Sequence, residues 1–115
     1  VGCVICHQDK IVATGFTQQP GKRHAEIVAI DNCQIPISEC IIYVTLEPCS
    51  FYGRTPACTD ALIKECPQKI YVGILDSDPR NNGKGITLLK NAGLQVEVGI
   101  GKVEIEKFLS SYLLK

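Results

Sequence analysis

At 115 residues the chain has the size of one ordinary domain and can build a core without disulfide staples. Its composition, 45% hydrophobic and 21% charged, excludes the disordered and fibrous classes, and no apolar run approaches the roughly 18 residues of a membrane span. The 12 basic and 12 acidic side chains cancel, with no basic stripe, so neither nucleic acid nor a membrane surface is an expected partner.

Val1 to Cys6 reads as a strand, Lys10 to Gly15 as a second, and His7-Gln8-Asp9 as the turn between them. Arg23 to Asn32, with Ala25, Ile27, Val28, Ala29 and Ile30, predicts a short, mostly buried helix. Ile41 to Leu46 is rich in β-branched residues and predicts a central strand. A helix is expected over Pro56 to Glu65, opened by its proline. Lys69 to Leu75 reads as a buried strand. Gly85 to Ala92 reads as a helix closed by Gly93. Leu94 to Val98 alternates as a strand, and Val103 to Leu113 has the spacing of a last helix. Strands and helices alternate after an opening hairpin. The order predicts an α/β fold in three layers, α/β/α, around a mixed sheet of about five strands, as a single domain over 1–115.

Seven cysteines in so short a chain need a reason. Their number is odd, their spacing irregular, and no secretory signal opens the chain, which favours metal or buried-thiol roles and a cytoplasmic setting over a disulfide framework. Three of the chemically useful groups fall in a telling order: His24-Ala25-Glu26, then Pro48-Cys49, then Cys58. A catalytic zinc needs three protein ligands and one open position. One imidazole and two thiolates nearly cancel the metal charge, so water bound there ionises far more easily than in bulk. Glu26, two residues from His24, is placed to carry protons between that water, a ring nitrogen and a departing amine. Backbone N–H groups near Ala25 and Cys49 would position water or substrate. A lone H-x-E arises often by chance, and a lone cysteine in an apolar chain is usually a small buried hydrophobe. The ordered set matches the H-x-E and P-C…C arrangement of zinc deaminases instead. Cys3-Val4-Ile5-Cys6 is formally a redox C-x-x-C, but on a strand its two thiols face opposite ways and read as packing.

The segment Glu47-Pro48-Cys49-Ser50-Phe51-Tyr52-Gly53-Arg54-Thr55-Pro56-Ala57-Cys58 has eight residues between its cysteines where the general pattern has two. Preceded by Tyr43-Val44-Thr45-Leu46, it closely resembles the pyrimidine deaminase domain of the bifunctional riboflavin-biosynthesis deaminase/reductase. The likeness extends to Val1 through Ile5, Gly21 through Glu26, Gly83 through Ile86 and Ala92-Gly93-Leu94. It implies a cytidine-deaminase-like fold, a zinc cofactor, and hydrolytic deamination of a diaminopyrimidinone carrying a ribosylamino phosphate. It also implies that Arg54 and Thr55 contact substrate, with Arg54 directed at the phosphate, and that Asp76, followed by Asp78 after a strand end, accepts hydrogen bonds from it. A homodimer is the assembly it suggests.

The chain departs from the family pattern at Thr17 and Phe51, where histidines are usual, and at Asp78, where asparagine is. The family's Pro-Asn-Pro falls before Val1. With no methionine and an apolar start, an N-terminal segment is expected to be missing; nothing after Leu94 suggests the Gly-rich loop of a reductase, so the expectation is either a stand-alone deaminase or one whose reductase domain was removed. Thr17 and Asp78 motivate a second reading, a deaminase of another nucleotide or base, such as deoxycytidylate. A third, from another class, is a silent zinc domain that binds a partner.

Overall fold

In the computed structural model, residues 2–16, 24–50, 58–75, 78–79 and 81–99 are described. A hairpin opens the fold: β1 (Gly2–His7) and β2 (Lys10–Phe16) pair antiparallel with His7 opposite Lys10. The turn is Gln8-Asp9 alone, both at positive φ (51° and 63°), the two-residue geometry whose twist suits paired strands. His7 therefore ends β1 rather than standing in the turn.

Beyond the hairpin come α1 (Ala25–Asn32), a 3-10 turn at Ile37–Glu39 and β3 (Ile41–Leu46). They are followed by α2 (Cys58–Glu65), β4 (Lys69–Ile74), α3 (Lys84–Asn91) and β5 (Val96–Val98). The sheet runs β2-β1-β3-β4-β5. β1 is antiparallel to both neighbours, while β3, β4 and β5 are parallel, giving the mixed five-stranded sheet that the sequence predicts. β2 consequently points the same way as β3. Each of α1, α2 and α3 then connects two strands of one direction, stepping the same way across the sheet. Right-handed crossovers put all three on one face.

The burial pattern agrees. Cys3 and Ile5, Ile42 and Val44, Ile70 and Val72 point to that face and form one core with Ala29, Leu62 and Leu89. Each large aliphatic side chain buried there contributes about 1.5–3 kcal/mol. On the opposite face Val4 packs with Cys6, Tyr43 and Tyr71, the two rings stacked 4.9 Å apart. Cys3 and Cys6 thus lie on opposite sides of the sheet, as strand alternation requires. The helix expected over 103–113, which would supply the layer on the second face, lies outside the described residues.

Local chemistry sets the helix limits. α1 carries β-branched Ile27, Val28 and Ile30, which have little intrinsic helix preference, so packing must hold it. Gly15 allows this: a Cβ there would collide with the Ala25 carbonyl and the Ala29 amide, so only glycine lets α1 lie directly on β2. α2 stops at Cys66, whose φ of 52° is the left-handed cap conformation, with Pro67 next. α3 closes as the sequence suggests, with Gly93 at φ 92° and the Leu94 N–H reaching back to the Leu89 carbonyl at 3.1 Å. No helix among the described residues is long and apolar enough to cross a membrane.

Candidate metal centre

Because β2, β3 and β4 point the same way, the segments leaving them emerge at one edge of the sheet, where α1, α2 and α3 begin. His24 is the residue just before α1, in extended conformation, its carbonyl accepting the Val28 N–H at 3.0 Å. Cys49 lies three residues beyond the end of β3, and Cys58 opens α2. Topology alone brings two helix starts and one strand end together.

The three ligand atoms of His24, Cys49 and Cys58 all lie within 4.8 Å of one another. His24 Nδ1 is 3.0 Å from Cys58 Sγ and 3.6 Å from Cys49 Sγ. The Cys58 backbone N–H donates to Cys49 Sγ at 3.1 Å, and the Thr59 N–H donates to the Cys49 carbonyl at 3.2 Å. Free N–H groups at the start of α2 are thus spent on Cys49. Cys58 is 1% exposed while His24 and Cys49 are half-buried, so the group is closed beneath and reachable from one side.

Electrostatics bind the two thiols into a unit. A hydrogen bond from the Cys58 thiol, with its backbone N–H and the neighbouring His24, pushes Cys49 down to about 6 against the opposing effect of burial. The same hydrogen bond, then burial and the nearby Glu26, hold Cys58 far above the ordinary thiol range. Cys49 is thus the readily ionised member of the pair, and Cys58 the one that keeps its proton. One imidazole nitrogen and two such sulfurs fit the donor preferences of zinc. Among the described residues no fourth histidine, cysteine or carboxylate joins them, which is the coordination of a site that keeps a position open.

Glu26 sits in the first turn of α1 and is 4% exposed. Burial lifts its carboxyl above the usual carboxylate range, its own backbone N–H partly opposes that, and it lies within hydrogen-bond reach of the Cys58 thiol. A carboxyl that accepts and releases protons near the metal group is what general acid–base work requires. Ala25, fully buried at the first position of α1, has its backbone in that same helix start. Arg54, Thr55 and Asp76 lie outside the described residues. Asp78 is described and half-buried; its carbonyl accepts the N–H groups of Asn81 at 2.9 Å and Asn82 at 3.0 Å in the turn that leads into α3.

Two further residues had no place in the sequence-based reading. Glu47 and Asn81 are charged or polar, yet 3% and 0% exposed; Asn81 bonds to the segment carrying Cys49, and Glu47, within that segment, bonds to the start of α3. A glutamate immediately after an apolar strand and before Pro-Cys was the available signal for the first. The second had none.

The family profile of the cytidine and deoxycytidylate deaminase zinc-binding region matches residues 1–74. The chain is 44% identical over 113 residues to the riboflavin biosynthesis protein RibD of Chlamydia pneumoniae, covering 98% of this chain and 30% of that protein. It is 37% identical over 108 residues to the diaminohydroxyphosphoribosylamino-pyrimidine deaminase of Buchnera aphidicola, covering 94% of this chain and 74% of that one. The solved structure of Acinetobacter baumannii RibD superposes with a TM-score of 0.82 at 44% identity, over 88% of this chain and 28% of that one. The chain therefore belongs to the cytidine and deoxycytidylate deaminase family, in the branch of the riboflavin-biosynthesis pyrimidine deaminases.

Proposed function

We propose that the chain is a zinc-dependent aminohydrolase that deaminates the diaminopyrimidinone ribosylamino phosphate of riboflavin biosynthesis. The observation that carries this reading is the convergence of His24, Cys49 and Cys58 within 4.8 Å, with Glu26 buried beside them. The Buchnera relative, most of whose length the chain spans, bears the name of that deaminase and supports the substrate. The chain spans about 30% of the RibD relatives, so their further activities are not assigned to it.

His24, Cys49 and Cys58 would hold the zinc. When bound, it supplies positive charge that brings the ionisation of water toward neutral pH. Glu26 takes a proton from the attacking water and passes it to the ring nitrogen next to the carbon that is attacked. Glu26 then takes the remaining proton from the hydroxyl now on that carbon and delivers it to the amine; the carbon–amine bond breaks, ammonia leaves, and the ring carbon keeps the oxygen of water as a carbonyl. The depth of Glu26 excludes bulk solvent from these transfers. Arg54 and Thr55 would contact the substrate, with the charge of Arg54 directed at its phosphate; Asp76 would accept from its ring N–H or amino groups with Asp78 close by, and backbone N–H groups near Ala25 and Cys49 would help position water or substrate.

Zinc-loaded protein is to be offered the riboflavin intermediate, deoxycytidylate, cytidine and guanine, and ammonia release followed. Release from the first substrate is expected to dominate. Dominance of deoxycytidylate would keep the chemistry and overturn the substrate, and zinc-loaded protein that releases nothing from any of them would overturn the enzyme reading. A homodimer is the assembly carried over from the resemblance, to be tested by light scattering; a cytoplasmic setting is the one that the cysteine usage favours.

A further inference from the structure

The start of α3 has no cap of its own. Its preceding residue is Gly83, at φ 86°, with no side chain to bond the open N–H groups. The cap comes from far along the chain. Glu47 Oε1 accepts the Gly83 N–H at 2.8 Å and Oε2 accepts the Ile86 N–H at 3.1 Å, a carboxylate bridging donors at the positive end of a helix. Asn81, fully buried, works in the reverse direction: its Nδ2 donates to the Pro48 carbonyl at 3.1 Å and to the Glu47 carbonyl at 3.4 Å. A third contact is steric. A Cβ at Gly85 would collide with the Pro48 carbonyl and stand 3.2 Å from Glu47 Cγ and Oε2, so only glycine admits the first turn of α3 to this position.

All three contacts end on Glu47 and Pro48, the two residues directly before Cys49. The Cys49 carbonyl and sulfur are held from the other side by α2. The thiolate is therefore suspended between two helix starts. The Asn81 N–H is in turn bonded to the Asp78 carbonyl, so the same brace ties the Asp78 turn to the metal-bearing segment.

We propose that Glu47 and Asn81 are positioning residues for the metal centre. They fix the backbone before Cys49 so that its sulfur meets His24 and Cys58 at coordination distance, and they couple the Asp78 turn to that placement. The inference rests on the zinc-site reading above. A metal site tolerates only about 0.5 Å of ligand displacement, and nothing in the side chain of Cys49 itself can supply that constraint.

The test uses the whole chain with zinc, and with cobalt(II) in its place, because cobalt–thiolate bands report sulfur ligation and geometry without turnover. The variants are Glu47→Gln, which leaves one carbonyl oxygen for two donors, and Gly85→Ala, which forces α3 off Pro48. Leu89→Ala, on α3 but buried in the main core, serves as the control for plain destabilisation. Glu47→Gln and Gly85→Ala are expected to weaken zinc, measured by chelator competition, by about 10- to 100-fold. They should shift the cobalt bands and lower kcat more than they raise KM. Leu89→Ala should lower Tm while leaving zinc affinity and cobalt spectrum unchanged. If Glu47→Gln does not fold, Asn81→Ala, which removes the amide bonds to the Glu47 and Pro48 carbonyls, takes its place. Unchanged zinc affinity and cobalt spectrum in the brace variants overturn the proposal and leave the metal reading intact. Wild-type protein that yields no cobalt–thiolate bands overturns both.

Discussion

Replacing Glu26 by glutamine removes one function and almost nothing else. The two side chains are nearly isosteric, so a position that is 4% exposed creates no cavity. The three-donor group of His24, Cys49 and Cys58 does not include Glu26, so the metal stays. What disappears is the ability of a buried carboxyl to accept and return a proton. General acid–base transfer contributes about 10² to 10⁴ in rate. At about 1.36 kcal/mol per decade that is about 3–5 kcal/mol of barrier. The assay is ammonia release under single-turnover and steady-state conditions, with zinc counted by atomic absorption in the same preparation. The expected result is a full zinc complement, a KM within a few-fold of wild type and turnover reduced by those two to four decades. A Glu26→Gln protein that keeps both its zinc and near-normal turnover would refute the assignment, because no other buried carboxyl reaches the Cys58 thiol among the described residues.

Three further outcomes follow from the same geometry. Removing the metal with a chelator, or replacing Cys58 by serine, is expected to abolish ammonia release; zinc re-addition should restore the chelated wild type but not the variant. Activity that survives complete zinc removal would count against the site. Gly15→Ala should drive α1 off β2 by collision with the Ala25 carbonyl and Ala29 amide, costing about 1–3 kcal/mol. Thermal melting should show a fall of at least about 4 °C, and an unchanged Tm would deny the contact. With zinc occupying Cys49 and Cys58, thiol labelling at pH 8 should modify exposed Cys66 first and spare Cys3 and Cys40 until the chain unfolds. Burial, helped by neighbouring Cys33, pushes Cys40 up to about 11, leaving about 10⁻³ of it as thiolate at that pH, and burial raises Cys3 as well. Peptide mapping that finds Cys40 labelled as fast as Cys66 would contradict that core.

Much of this arrangement was legible in the sequence because short-range signals were strong where it mattered. Ile41 to Leu46 is a β-branched run, and the structure gives it those limits. Gly93 ends α3 because the helix needs a left-handed residue there. His24 and Cys58 stand at helix starts, where patterning changes from strand or loop to helix. The misses have physical causes. A two-residue turn with both residues at positive φ suits Asp9 but is not advertised by Gln8, so the sequence points to a longer turn that includes His7. Leu94 alternates like strand but is spent closing α3, its N–H bonded to Leu89; Gln95 already accepts the Ile70 N–H of β4 at 2.9 Å, and β5 begins at Val96. The Glu47 brace joins residues 36 and 39 positions apart, and pairing at that range leaves no local periodicity to read.

The long interval between the two cysteines is compatible with the metal chemistry for a reason visible in the structure. Lengthening a loop from two to eight residues is two doublings, each costing about 0.6 kcal/mol of closure entropy, so about 1.2 kcal/mol in all. Against that stand the Cys58 N–H on Cys49 Sγ and the Thr59 N–H on the Cys49 carbonyl, at 3.1 and 3.2 Å. A hydrogen bond to a charged group contributes about 1.5–3 kcal/mol, so with Cys49 as thiolate the first of these alone offsets the added loop. The spacing of the sulfurs is set by the start of α2 and by the braced end of β3, not by the number of residues strung between them. That interval is then free to vary with the substrate while the thiolates stay in place. Shortening it should alter which ring is deaminated well before it alters whether zinc binds.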